Sequence, residues 1–172
     1  MAERALNRRP DVRGLDQKVV QESFAADGLP ELDPRSPFAW PVRGPVLVRF
    51  GENVRGARSD GINIGAPIGA PVRAAADGEV VYRGNELDGY GNLLLVKHSS
   101  GWVSAYAHTD AILVRKGDLV RQGQVIAKVG RSGSVDQPQL HFQLRKDLQP
   151  LDPLIAMNGD PRGAGLMTTS LR

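Results

Sequence analysis

Three short segments of the chain collect the polar side chains that could do chemistry. The first reads R-S-D-G-I-N-I-G-A-P over residues 58–67, the second is Tyr106-Ala107-His108, and the third reads P-Q-L-H-F-Q-L-R over residues 138–145. Imidazoles are metal ligands and proton carriers near neutral pH. The chain has three His and no Cys, which excludes thiolate zinc sites, Cys nucleophiles and disulfides. Any site must therefore use His with the oxygen and amide groups beside it.

The order and spacing of these segments resemble the LytM (lysostaphin-type) zinc endopeptidases of bacterial cell walls. That family's usual pattern is H-x-G-I-D in the first segment, Y-x-H in the second and H-L-H in the third. Here Ser59, Asn63 and Gln139 replace three of those residues, and only His108 and His141 remain of the four histidines. The resemblance covers roughly residues 38–155 and implies a LytM domain with a degenerate metal site.

The resemblance implies that Ser59, Asn63 and His141 stand at the metal-ligand positions, with His108 and Gln139 in auxiliary positions. In the family, two imidazoles and a carboxylate leave an open position for a water that the metal activates. A Ser hydroxyl stays protonated near neutral pH, and an Asn amide lacks the charge that holds a divalent cation. One good ligand does not give useful affinity. We therefore expect no bound metal, no cofactor and no enzymatic activity.

The old substrate groove is the expected binding surface. Side-chain amides both donate and accept hydrogen bonds, so Asn63 and Gln139 can satisfy a polar cleft without metal. We expect Tyr90 and Tyr106 to act as aromatic anchors, and Arg145 to pair with a carboxylate of the partner. The predicted groove residues are Asp60, Asn63, Tyr90, Tyr106, His108, Gln139, His141 and Arg145.

Each of these residues also has a structural interpretation. Tyrosines in a β-rich domain are often packing residues, and His108 and His141 can simply be hydrogen-bonded remains that fill the cleft. The third histidine, His98, follows an apolar run and precedes a turn, so we expect it at a strand end near solvent.

Short apolar runs separated by Gly, Asp and Asn turns indicate an all-β fold. The resemblance makes this a lysostaphin-type antiparallel β-sheet sandwich, open and barrel-like, with a central groove. Gly117 and Gly123 mark two tight turns six residues apart, where Gly tolerates positive φ. The predicted strands are Val46–Phe50, Ile62–Ile64, Val72–Ala74, Gly78–Tyr82, Leu93–Lys97, Val103–Ala107, Val125–Val129 and Leu140–Leu144.

The sequence predicts three regions. Residues 1–37 are charged, carry four prolines and lack a sustained period, which indicates a flexible linker or N-terminal arm. Residues 38–157 form the degenerate LytM domain, and residues 158–172 are expected to be a flexible C-terminal tail.

The composition limits the classes of partner that the chain could bind. The net charge is only +3, and no Lys/Arg cluster is interleaved with aromatic residues, so we expect no nucleic acid binding. No apolar run approaches the ~20 residues of a transmembrane helix. The opening Met1-Ala2-Glu3-Arg4 is charged and no apolar stretch follows it, so we expect no signal peptide in this chain. A periplasmic location is implied by the resemblance alone.

Within this family, the domains that lack metal ligands include NlpD-like, EnvC-like and DipM-like division factors. The sequence segments at residues 84–94 and 104–110 look closest to those of the NlpD and DipM type. The resemblance thus implies a non-catalytic regulator that binds and activates peptidoglycan hydrolases (N-acetylmuramoyl-L-alanine amidases) during cell division and separation. Two alternatives are a peptidoglycan-binding targeting module and a divergent zinc endopeptidase whose site is completed by His98 or another residue.

Overall fold

The structure is a computed structural model and describes residues 38–158. The predicted N-terminal arm, and the predicted tail from residue 159 onward, lie outside the described residues. Within this range the chain forms twelve strands and one short helix, α1, at Pro153–Asn158. The strands are β1 (Val46–Val48), β2 (Asn53–Val54), β3 (Ala57–Arg58), β4 (Ile62–Gly65), β5 (Pro71–Arg73), β6 (Gly78–Gly84), β7 (Asn92–Lys97), β8 (Trp102–Ile112), β9 (Leu119–Val120), β10 (Val125–Val129), β11 (Gln139–Lys146) and β12 (Gln149–Leu151).

Ten strands form one antiparallel sheet, in which β1-β4-β11-β8-β7-β6-β9 are neighbours in that order. Strand β10 pairs with β5 and β8, β12 pairs with β11, and β2–β3 is a separate hairpin. The all-β prediction is confirmed, and all eight predicted strands are found. The four missed strands, β2, β3, β9 and β12, have two or three residues each, too few to show an alternating pattern.

Apolar side chains cover both faces of the central strands. One face carries Leu94, Tyr106 and Phe142 in the main core, and the other carries Leu93 and Leu95 in a smaller cluster. Alternation along a strand produces this division, because successive side chains point to opposite faces. A sheet covered on both sides is a rigid base for polar residues at its surface.

The two glycine turns are confirmed. Gly117 has φ +96° and Gly123 has φ +86°, a left-handed conformation that favours glycine. Residue 158, the first residue of the predicted tail, is the last residue of helix α1.

Candidate functional site

A groove of about 310 Å³ opens beside the middle of the sheet. Its walls come from hairpin β2–β3, from the loop that precedes β7 and from the loop between β10 and β11, and its floor from β4 and β11. The groove is lined by six of the residues singled out in the sequence: Ser59, Asp60, Asn63, Tyr90, His108 and His141.

The odd-numbered side chains of β11 lie on the side of the sheet that faces the groove, and two of them, His141 and Gln143, line it. Leu140, Phe142 and Leu144 enter the main core. The opposite side of the strand carries the polar residues, as the period of two requires: Gln139, His141, Gln143 and Arg145.

These polar residues form one connected chain of hydrogen bonds. Arg145 Nε donates to Gln143 Oε1 at 3.1 Å, and Gln143 Nε2 lies 3.0 Å from His141 Nε2. Strand β4 then joins the chain, because Asn63 is the cross-strand partner of His141. His141 Nδ1 lies 2.7 Å from Asn63 Oδ1, and Asn63 Nδ2 donates to Gln139 Oε1 at 2.5 Å. Asn63 thus hydrogen-bonds to both His141 and Gln139, so the two side-chain amides satisfy polar groups of the cleft as expected.

His141 is held neutral within this chain. Burial lowers its pKa to about 3, with further lowering by His108 and by the charge of Arg145. A neutral imidazole has one donor and one acceptor nitrogen, and both nitrogens of His141 have neighbours at hydrogen-bond distance.

His108 reaches the groove through a distortion of β8. Partner residues on β7 step from Leu94↔Tyr106 to Asn92↔Thr109, which leaves one extra residue in β8, a β-bulge. His108 has φ +64°, and its ring centroid lies 6.0 Å from that of His141. Its Nδ1 lies 2.8 Å from the Ser132 carbonyl, and burial lowers its pKa.

The structure places Tyr106 in the core, so its expected role as a groove anchor is wrong. The side chain is fully buried, and its hydroxyl accepts a hydrogen bond from Ala75 N at 2.9 Å. Burial raises its pKa to about 12. The Y-x-H spacing suggested one face for Tyr106 and His108, but the bulge turns the two side chains to opposite sides.

Arg145 and Gln139 lie beneath the groove instead of lining it. Arg145 is 6% exposed and its Nη2 is 3.6 Å from Asp60 Oδ2, an ion pair within the chain. The expected pairing of Arg145 with a partner carboxylate is therefore not supported. Both residues support the groove by holding Gln143, Asp60 and Asn63.

Tyr90 lines the groove but is only 7% exposed. It packs in the smaller apolar cluster, and its hydroxyl is 3.4 Å from Gln143 Nε2. Its backbone carbonyl accepts a hydrogen bond from His108 N at 2.9 Å. These contacts favour the packing interpretation of Tyr90.

The prediction of a solvent-exposed His98 is wrong. The residue is fully buried, with Nδ1 2.6 Å from the Asp77 carbonyl and Nε2 2.8 Å from Ser104 Oγ. Burial lowers its pKa to about 4. His98 follows the end of β7 remote from the groove, roughly 20 Å away at about 3.3 Å per residue, so it cannot complete a site there.

The residues present do not fit a zinc ion. Ser59 Oγ donates to the Gly61 carbonyl at 2.9 Å, and Asn63 Oδ1 is engaged by His141. Residues 38–158 contain no cluster of three His, Cys, Asp or Glu side chains that could hold a metal. Hydrogen bonds among Asn63, Gln139 and His141 organise the floor of this groove.

Hairpin β2–β3 forms an exposed wall of the groove that was not predicted from the sequence. Hairpin β2–β3 turns at Arg55-Gly56, with φ +52° and +85°, and places Val54 and Arg58 at the rim. Arg55 Nη1 also donates to the Ser134 carbonyl across the groove at 3.4 Å. Strands of two residues are too short to show a pattern in the sequence, so this wall could not be predicted.

The sequence is similar to a known family and to several known proteins. The sequence model described as "Peptidase family M23" matches residues 57–153. The chain is 46% identical over 148 residues to the cell division protein DipM of Caulobacter vibrioides, covering 81% of this chain and 24% of that protein. It is 43% identical to the murein hydrolase activator NlpD of Escherichia coli, covering 70% of this chain and 31% of NlpD.

A third relative is the lipoprotein NlpD/LppB homolog of Pseudomonas aeruginosa, 45% identical over 68% of this chain and 38% of its own length. The chain therefore spans less than half of each of these relatives. Among the described residues, no helix is long and apolar enough to cross a membrane.

Solved structures show the same fold. A zinc-containing peptidase from Vibrio cholerae superimposes with a TM-score of 0.63 at 32% identity, covering 77% of this chain and 41% of that one. The catalytic domain of lysostaphin from Staphylococcus simulans gives 0.56 at 26% identity, covering 74% and 98%. The expected lysostaphin-type architecture is confirmed.

Proposed function

The chain belongs to peptidase family M23, and on that premise we propose that it acts by binding instead of by cleavage. In this proposal it is a non-catalytic regulator that activates a peptidoglycan hydrolase, an N-acetylmuramoyl-L-alanine amidase, during bacterial cell division and separation. The observation that carries the proposal is the groove, which Ser59 and Asn63 line at the positions that the resemblance assigns to metal ligands.

The chemistry of the floor supports binding without catalysis. Asn63 and His141 use their polar atoms on each other, and Ser59 bonds locally to Gly61. A floor whose polar groups already have partners carries no large desolvation cost when an occupant covers it. Such a groove is suited to receive a partner segment.

The exposed hairpin is the best candidate for direct contact. Val54 is 39% exposed, and Arg55 and Arg58 are exposed beside it at the rim. Val48 and Val135 add apolar surface within the groove. Apolar side chains with arginines at the rim would accept an amphipathic segment that carries a carboxylate.

Activation follows from differential binding. If the segment is accessible only in the active form of the hydrolase, binding shifts the population toward that form. The shift is limited by the difference in affinity, and about 1.4 kcal/mol corresponds to a tenfold change. The names of two relatives, a lipoprotein and a murein hydrolase activator, support a location in the cell envelope, and we propose that the chain acts in the periplasm.

The proposal is tested by Val54→Asp, which puts a charge at the groove rim. We expect the variant to keep its midpoint of unfolding and to lose most of its stimulation of a cognate amidase on purified peptidoglycan. Leu119→Asp is the matched control, because Leu119 is 73% exposed in another two-residue strand and does not line the groove. Equal stimulation by both variants would contradict the use of this rim.

The same assay separates the alternatives. Retention on insoluble peptidoglycan without any effect on amidase turnover would identify a targeting module. Cleavage by the chain alone, with zinc at one equivalent, would identify a divergent endopeptidase. Either result would overturn the proposed activation.

A further inference from the structure

The hydrogen-bond chain across the groove floor has a fixed direction. At one end Arg145 is donor-only, because a guanidinium has no acceptor and does not lose its proton in proteins. At the other end Gln139 Nε2 lies 3.1 Å from the carbonyl oxygen of Gln137, which is acceptor-only. A chain that starts at an obligate donor and ends at an obligate acceptor has one consistent set of proton positions.

The orientation of the Gln143 amide follows from Arg145. Arg145 Nε must donate, so the Gln143 atom that faces it at 3.1 Å must be the oxygen. The amide nitrogen of Gln143 then faces His141 Nε2 at 3.0 Å, and it also lies 3.4 Å from the Tyr90 hydroxyl. An amide nitrogen can only donate, so His141 Nε2 must be the acceptor.

The tautomer of His141 is thereby determined. With a lone pair on Nε2, the neutral ring carries its proton on Nδ1 and donates it to Asn63 Oδ1 at 2.7 Å. Nδ1 is the nitrogen that faces position 63. A metal shared by positions 63 and 141 would need the lone pair of that nitrogen, and it holds a proton instead.

We propose that Gln143 and Arg145 are positioning residues that lock His141 in the tautomer unable to bind metal. This lock is a second barrier to zinc, separate from the loss of ligands at Ser59 and Asn63. Restoring those two ligands alone would leave a poor site, because the third ligand would still present an N–H. The inference concerns the floor and does not depend on which partner the groove binds.

The tautomer is directly measurable. Two-dimensional ¹⁵N–¹H spectra of labelled protein distinguish protonation at Nδ1 from protonation at Nε2. We expect a neutral His141 with the proton on Nδ1 in the unaltered chain. In Gln143→Glu a carboxylate accepts from both Arg145 and His141, so Nε2 should gain a proton, while Nδ1 keeps the proton that it donates to Asn63 Oδ1. A proton on Nε2 in the unaltered chain would overturn the proposal.

Zinc affinity provides the second test, measured by competition with a chromophoric chelator. Ser59→His with Asn63→Asp restores the ligands, and Gln143→Glu is then added to release the lock. Outer-shell partners of a metal-binding His typically change affinity by about 10- to 100-fold, and we expect a gain in that range.

The added negative charge needs its own control. Ser134 lines the groove and is exposed, so Ser134→Glu on the same restored background adds charge without touching His141. Equal gains from Gln143→Glu and Ser134→Glu would show a charge effect and overturn the lock. The spectra of the single Gln143→Glu variant decide the question even where the triple variants fail to fold.

Discussion

At the scale of single residues, Asn63 presents a neutral amide where the resemblance implies a metal-ligating carboxylate. Its amide performs two tasks, accepting from His141 and donating to Gln139. A carboxylate performs only the first. Asn63 therefore supplies the donor that joins β4 to Gln139, which an Asp at this position would lack.

Asn63→Asp should accordingly destabilise the chain, since it places two oxygen atoms face to face at a buried position. We expect a loss of about 1–3 kcal/mol in the free energy of unfolding in urea. The matched control is Asn53→Asp, where the exposed Asn53 Oδ1 only accepts, from Gly56 N, and Asp retains that bond. A similar loss in both variants would show that the donor role of Asn63 is unimportant.

His98 gives a pH dependence. Burial lowers its folded-state pKa to about 4, below the ordinary histidine value of 6.5. Below pH 6.5 the unfolded chain binds a proton that the folded chain does not, so stability falls as pH drops from 6.5 to about 4. The shift corresponds to a loss on the order of 3 kcal/mol over that window.

Urea unfolding of the unaltered chain and of His98→Gln from pH 7 to pH 4 tests this dependence. Burial also lowers the pKa values of His108 and His141, so their contribution remains in the variant. We expect the slope to flatten in His98→Gln without vanishing. An unchanged slope would contradict the assignment to His98.

At the scale of elements, the bulge in β8 aims His108 into the groove. Its φ of +64° is costly for a residue with a side chain, by about 1–3 kcal/mol. Two hydrogen bonds offset this cost, one between His108 Nδ1 and the Ser132 carbonyl and one from His108 N to the Tyr90 carbonyl.

Because position 108 has a positive φ, we expect the usual order of stability between Ala and Gly to be reversed there. In an ordinary strand, Ala is more stable than Gly by about 0.5–1 kcal/mol. At position 108 we expect His108→Gly to be more stable than His108→Ala in urea unfolding, because Gly adopts positive φ without penalty. The usual order at this position would mean that the bulge relaxes when the imidazole is removed.

The elements also show what the sequence could and could not predict. Runs such as Leu140–Leu144 were long enough to identify strands, and motif spacing brought Asn63 and His141 together. Tyr106 was misplaced because the bulge is invisible in the pattern Tyr106-Ala107-His108. His98 was misplaced because its neighbours, Ser99 to Gly101, resemble any exposed turn, although the imidazole itself packs inward.

At the scale of the whole molecule, a fold of peptidase family M23 forms a groove, and hydrogen bonds organise the floor of that groove. The sheet is buried on both faces, so the groove does not need a metal to hold its strands together. Exposed residues concentrate at the rim, in hairpin β2–β3. This division between a fixed floor and an exposed rim suits binding to another protein.

The most direct test of binding without catalysis is release of soluble fragments from purified peptidoglycan, measured for the chain alone, for a cognate amidase alone and for both together. Zinc in the purified chain is determined on the same sample. We expect background release by the chain alone, substoichiometric zinc, and release by the mixture several-fold above that of the amidase. Fragment release by the chain alone with one equivalent of zinc would contradict it, as would a mixture no faster than the amidase.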